Sequence, residues 1–171
     1  QSVLDVGTGS GAVALAIADE LPGCEMTASD TSMAALEVAR ANAEALGLAS
    51  RITFVQGSVP EREFDLIVAN LPYVSEREWP SLEPEVAEWE PREALLAGPD
   101  GLDAIRAVVG QVGRPERTYA PYSGQTAFAL EIGAGQADEV SAMLDDAGFT
   151  GIERRRDLAG IERVVWGART P

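Results

Sequence analysis

Asn70-Leu71-Pro72-Tyr73 follows directly on the apolar run Phe64-Asp65-Leu66-Ile67-Val68-Ala69, which reads as a buried strand. Open parallel sheets bind their ligands just beyond the carboxyl ends of the strands. An amide side chain, a turn-setting proline and an aromatic ring at that place suit a planar nitrogen nucleophile. Asn70 offers an acceptor oxygen and Tyr73 a flat surface. A second constellation opens the chain. Val3-Leu4-Asp5-Val6-Gly7-Thr8-Gly9-Ser10-Gly11 reads as strand, glycine-rich turn and helix start. Its glycines permit positive φ and close approach of backbone to a ligand, and the helix behind them presents free N–H groups. The two segments together point to a nucleotide-type cofactor beside a nitrogen nucleophile.

Each residue also has a plainer use. Gly7-x-Gly9-x-x-Ala12 satisfies the looser dinucleotide pattern, and a tight strand-to-helix turn with no ligand is a further option. Asp30, just past the second strand, can accept both hydroxyls of a ribose or cap the helix that starts near Thr31; the two roles are compatible. Asn70 can close its own turn, and Tyr73 can simply pack. Asp5 stands inside the first strand, where a buried carboxylate needs donors, and the loop N–H groups can supply them. NAD-type dehydrogenases usually carry an apolar residue there. Asp-x-Gly-x-Gly-x-Gly instead resembles S-adenosylmethionine binding, and a carboxylate near the turn suits a cationic sulfonium.

Composition narrows the field. The 171 residues make one domain with room for a proper core. No apolar run approaches a membrane span, and the start lacks the basic region of a signal peptide. The abrupt opening on a strand suggests a domain cut from a longer protein. There is no histidine, which removes Ser-His-Asp triads, His-ligated zinc and histidine bases. Cys24 is the single cysteine, so no internal disulfide or cysteine-rich metal site is expected, which fits a reducing cytoplasm. With 13 basic and 28 acidic residues the net charge is −15, which repels a phosphate backbone. The densest basic patch, Arg154-Arg155-Arg156 with Arg163 nearby, reads as a solvated strand end. A basic protein or a small molecule is the expected partner, without membrane or stable nucleic-acid binding, and a monomer is expected.

Strand-like and helix-like segments alternate, the pattern of a parallel sheet covered on both faces. Strands are expected over 3–6, 25–29, 52–55, 64–69, 126–132, 151–156 and 161–168. Helices are expected over 12–21, from a cap at Thr31 or Ser32 to Leu46, across Leu102, Ile105, Val109 and Val112, and across Val140, Met143, Leu144 and Ala147. The link between the last two strands is too short for a parallel crossover, so that pair is antiparallel. Residues 74–101, rich in proline and acid, read as a lid or cap, and 113–124 as a loop. The fold class is α/β, a doubly wound, mostly parallel seven-stranded sheet with its last strand antiparallel.

Motifs along the whole chain resemble the catalytic domain of the protein-(glutamine-N5) methyltransferases, the HemK type that acts on peptide chain release factors. A sister group acts on a ribosomal protein. The matching segments are 3–11, Asp30-Thr31-Ser32 with Ala34 to Ala43, 64–73, Glu90-Pro91 with Ala94-Leu95, Gly98-x-Asp100-Gly101-Leu102, Leu130-Glu131-Ile132-Gly133, and Asp157-Leu158-Ala159-Gly160-x-x-Arg163-Val164. The resemblance implies a class I methyltransferase strand order and S-adenosylmethionine as cofactor. It implies a cofactor site of Asp5, Gly7, Thr8, Gly9, Ser10, Gly11, Asp30, Thr31, Ser58, Val59 and Asn70. It places catalysis on Asn70, Leu71, Pro72 and Tyr73, with no metal. Three departures stand out. Leu71 replaces a proline at a position that contributes its backbone carbonyl, which leucine retains. Ser58 stands where an aspartate often bonds the adenine amino group. The loop 113–124 is longer than expected, and the family's N-terminal helical domain is absent from this chain.

The tetrapeptide is shared with nucleic-acid adenine N6 methyltransferases, a reading the charge opposes. A non-catalytic paralogue that only binds cofactor or protein is the third reading. The acidic stretch 76–103, with Trp79 and Trp89, reads as solvated loop or as a docking face for a basic substrate, and Glu90 is expected to bond loop backbone near the site.

Overall fold

The computed structural model describes residues 1–83, 91–113 and 124–170. Trp89, Glu90 and most of the loop expected over 113–124 lie outside the described residues. Seven strands form one sheet: β1 (Ser2–Val6), β2 (Glu25–Asp30), β3 (Ile52–Gln56), β4 (Leu66–Ala69), β5 (Thr126–Glu131), β6 (Thr150–Arg156) and β7 (Glu162–Arg169). Their order is β3-β2-β1-β4-β5-β7-β6. The first five are mutually parallel, and β7 runs antiparallel between β5 and β6. The α/β fold with its antiparallel last strand is the one expected.

There are five α-helices among the described residues: α1 (Ala12–Glu20), α2 (Met33–Ala45), the single turn α3 (Arg92–Leu95), α4 (Asp103–Val112) and α5 (Ala137–Asp146). None is long and apolar enough to cross a membrane. The cap of α2 is Ser32, whose side chain accepts from the Ala35 N–H at 3.2 Å. In α4, Ile105, Val108, Val109 and Val112 turn one buried stripe to the sheet, the helical period expected there.

Side chains along β1 alternate between two cores, as a strand buried on both faces requires. Val3 joins Ala14, Leu15, Ala18, Met26 and Ala43 under α1 and α2. Leu4 and Val6 join Ile67, Phe128, Leu130, Ile105 and Leu144 under α4 and α5. The chain winds outward from β1 to β3, then returns to lay β4 on the other side of β1. This reversal of strand order opens a crevice at the carboxyl ends of β1 and β4. Val6 pairs with Ala69, so Gly7 and Asn70 leave the sheet side by side.

Candidate active site

The glycine turn is held from several sides. Gly7, Gly9 and Gly11 have φ of 70°, 56° and 85°, values that favour glycine. The Gly7 and Thr8 N–H groups both donate to the Ser29 carbonyl, at 2.9 and 3.0 Å, and Gly11 donates to the Thr8 carbonyl at 2.8 Å. Gly9 donates to Asp30 Oδ2 at 2.9 Å. These four N–H groups of the turn thus already bond protein acceptors. What the turn offers a ligand is close approach. Ser10 is exposed, and nothing nearer than the Gly7 carbonyl, at 4.0 Å, crowds a Cβ built on Gly9.

Asp5 lies beneath the turn, 1% exposed. Its donors are the Thr8 hydroxyl at 2.6 Å and the Ala14 N–H at 3.2 Å, in place of the expected loop amides. Burial pushes its pKa above the usual 3.8 although both bonds oppose the shift, and the Asp30 charge adds to the rise. Asp30 takes the Ser32 N–H on its other oxygen at 2.9 Å. A carboxylate has about four acceptor sites. Two are filled, by Gly9 and Ser32, which leaves about two for a further donor; the cap of α2 is Ser32 and not Asp30, whose bond goes to the Ser32 N–H.

Asn70 is exposed, and no described residue hydrogen-bonds its side chain. It does not close its own turn. Leu71 is 6% exposed and belongs to the larger core. A Cβ built on Gly7 would lie 2.9 Å from Leu71 Cδ2, so the two motifs touch through this leucine. The leucine side chain thus has a packing task that its carbonyl role alone did not suggest. Pro72 and Tyr73 are half-buried, and the Tyr73 hydroxyl points to Glu131 Oε1 at 3.4 Å.

Thr31 is exposed beside Asp30, and Ser58 is half-buried after β3. Gly57 donates to the Asp30 carbonyl at 2.9 Å, which brings Ser58 to the same crevice. Val59 differs. Its side chain sits in the larger core and lines a small cleft with Phe64, Thr126 and Arg169, at the amino ends of β4 and β5. The structure does not bring that side chain to the glycine turn. The basic cluster is internally paired: Arg154 with Asp138, Arg155 with Glu153, and Arg156 with Glu162.

Two residues the sequence reading did not single out brace the site. Asn42, on α2, donates to the Ser10 carbonyl at 2.9 Å. Gln136, 8% exposed, donates to the Tyr73 carbonyl at 3.0 Å and accepts from the Gly133 N–H at 2.8 Å. Asn42 stood inside a quoted motif. Gln136 gave no signal beyond its place after a strand and before a helix.

A family model described as a methyltransferase domain matches residues 3–89, more than half of the 171. The chain belongs to the methyltransferase domain family. The matched part of this methyltransferase domain holds the glycine turn, Asp30 and the Asn-Leu-Pro-Tyr loop. A release factor glutamine methyltransferase of Gloeobacter violaceus is 42% identical over 168 residues, 95% of this chain and 57% of that protein. One of Geobacter sulfurreducens is 41% identical over 170 residues, 97% of this chain and 57% of that protein. The chain thus spans about 57% of the length of these two relatives, and the resemblance to the glutamine methyltransferases is borne out over nearly all of it. The ribosomal protein L11 methylase structure of Lactobacillus delbrueckii subsp. bulgaricus superposes with a TM-score of 0.63 at 24% identity, over 99% of this chain and 70% of that one, a likeness of fold.

Proposed function

We propose that this methyltransferase domain transfers a methyl group from S-adenosylmethionine to the N5 nitrogen of a glutamine side chain in a peptide chain release factor. The observation that carries the reading is the exposed, unengaged Asn70 amide beside the glycine turn at the point where strand order reverses. The names of the relatives support the substrate class. The reading places the reaction in the cytoplasm, by a monomer acting on a basic protein.

The residues present fit the cofactor. Asp30 keeps acceptor sites that would take ribose hydroxyls, Thr31 and Ser58 would serve the adenine end, and the uncrowded Gly9 with Ser10 would leave room for the rest. Asp5 and Asp30 add negative charge suited to a sulfonium. When bound, S-adenosylmethionine supplies an electrophilic methyl group.

An amide nitrogen is a poor nucleophile because its lone pair is delocalised into the carbonyl. The Asn70 side-chain oxygen and the Leu71 carbonyl each accept one N–H of the substrate amide, which aims the lone pair at the methyl. As the nitrogen–carbon bond forms and the carbon–sulfur bond breaks, its electron pair staying on a now neutral sulfur, the same oxygens would stabilise the positive charge growing on nitrogen. Pro72 sets the turn and the Tyr73 ring covers the amide plane. The nitrogen loses its proton after transfer, so no strong base is required, in keeping with a chain that has no histidine.

Mass analysis of a release factor incubated with the full-length enzyme and S-adenosylmethionine tests the proposal. One added methyl on a glutamine is expected. A methyl on any other residue type, or none with cofactor demonstrably bound, overturns it.

A further inference from the structure

Behind the Asn-Leu-Pro-Tyr loop three chain segments meet around one buried amide. Gln136 is the residue before α5, and its side chain makes no capping bond to that helix. Its Oε1 accepts the Gly133 N–H at 2.8 Å. Its Nε2 donates to the carbonyls of Tyr73 at 3.0 Å, Gly101 at 3.3 Å and Asp100 at 3.5 Å. The other two corners of the junction are glycines. A Cβ on Gly133 would lie 2.9 Å from Gln136 Oε1 and 3.3 Å from Tyr73 Cδ2. Gly101, at φ 77°, packs so closely that a Cβ there would collide with the Tyr73 carbonyl and lie 2.9 Å from Gln136 Nε2.

Tyr73 is three residues from Asn70 and two from Leu71. Fixing its carbonyl fixes the end of the short turn that carries both acceptor oxygens. We infer that Gln136 is a positioning residue for methyl transfer: through the Tyr73 carbonyl it sets where Asn70 and Leu71 present their oxygens. It touches neither reacting group. This inference rests on the glutamine-methylation reading.

Glutamine suits the task because one amide supplies both an acceptor for Gly133 and a donor for Tyr73. Gln136→Glu separates the two. The carboxylate still accepts from Gly133, but its second oxygen faces the Tyr73 and Gly101 carbonyls with no proton to give. Protonating that oxygen restores a donor.

The test compares wild type and Gln136→Glu in the full-length protein, with S-adenosylmethionine and a glutamine-containing release factor. Three quantities are read: cofactor Kd, kcat and KM across pH, and amide hydrogen exchange of the peptide covering residues 70–76. The expected result is an unchanged cofactor Kd and a kcat lower by about 10²-fold above neutral pH, the scale of a misplaced reacting group. The deficit relative to wild type should shrink as pH falls and the glutamate gains its proton, and exchange in 70–76, faster than in wild type where the deficit is large, should return toward the wild-type rate at the same pH. Unchanged exchange with unchanged kcat overturns the inference, as does quickened exchange with full kcat. If wild type binds cofactor but methylates no glutamine, the functional reading fails, and exchange in 70–76 alone decides whether Gln136 holds the loop.

Discussion

Leu71 carries its two tasks at opposite ends of one residue. In the proposed reaction the carbonyl accepts from the substrate amide, and the side chain fills the space against Gly7. Leu71→Pro keeps the carbonyl and restricts φ, but leaves that space partly empty. Methyl transfer per folded molecule should match or exceed wild type, while urea denaturation should show a loss of about 1–3 kcal/mol. A variant of full stability but poor turnover would show that the leucine N–H or side chain acts in the reaction. Asn70 has no comparable packing role, so Asn70→Ala should leave folding alone and lower kcat by about 10²–10³, far more than it weakens binding of substrate or cofactor. Wild-type single-turnover rates in that variant would remove Asn70 from the mechanism. Asp5 makes a prediction about pH. Its folded pKa is raised above 3.8, so over the interval between the two values the folded state holds more protons than the unfolded. Its contribution to stability therefore falls as pH rises through that interval. Asp5→Asn does not titrate, so its stability relative to wild type should be greater near neutral pH than at about pH 4. Urea midpoints at the two pH values check this, and a relative stability that falls with pH would contradict the assigned shift.

The elements were legible wherever an apolar run or a helical period was strong, and less so where pairing, not burial, defines the element. Phe64 and Asp65 belong to the apolar run read as one strand, yet β4 begins at Leu66. Phe64 is buried at 1% exposure, and Asp65 turns its carboxylate to the Ser2 N–H at 2.6 Å, so hydropathy reported the core without reporting the ladder. Strand order was open to resemblance alone, because a two-residue alternation does not name its neighbour. Gln136 was invisible for a similar reason: its partner Tyr73 is 63 residues away in sequence. Among the candidate site residues, those tied to local turns were readable, and those that brace the site from other elements were not. Arg169, at the end of β7, shows how such bracing works at a helix end. Its guanidinium donates to the Val112 carbonyl of α4 at 3.0 Å and to the Ala147 carbonyl after α5 at 3.4 Å, and it lies 5.4 Å from the Phe149 ring centre. A cation there meets the negative ends of two helices. Arg169→Ala should lower unfolding free energy by about 2 kcal/mol in urea titrations, with Arg169→Lys recovering less than half, since an ammonium cannot serve both carbonyls as a fork does. Equal stability of all three proteins would show that the helix ends are held by other means.

At the scale of the molecule, the charge of −15 acts on encounter more than on chemistry. If the partner is a basic protein, raising salt from low to physiological strength should raise KM for the release factor several-fold, with little change in kcat for substrate already bound. A salt-independent KM would assign recognition to uncharged contacts. The two cores meet at this same scale. The glycine turn grows from the core under α1 and α2, and Gly11 packs on Ala39 and Leu15. The Asn-Leu-Pro-Tyr loop grows from the core under α4 and α5. Under the proposed function, cofactor and acceptor would fall to two separately packed halves that share β1 and meet where Leu71 rests on Gly7. For a lineage, this division means that the group being methylated can be exchanged by mutation in one half while the donor's pocket is inherited intact. The contact across the seam is the constraint such descendants would have to keep.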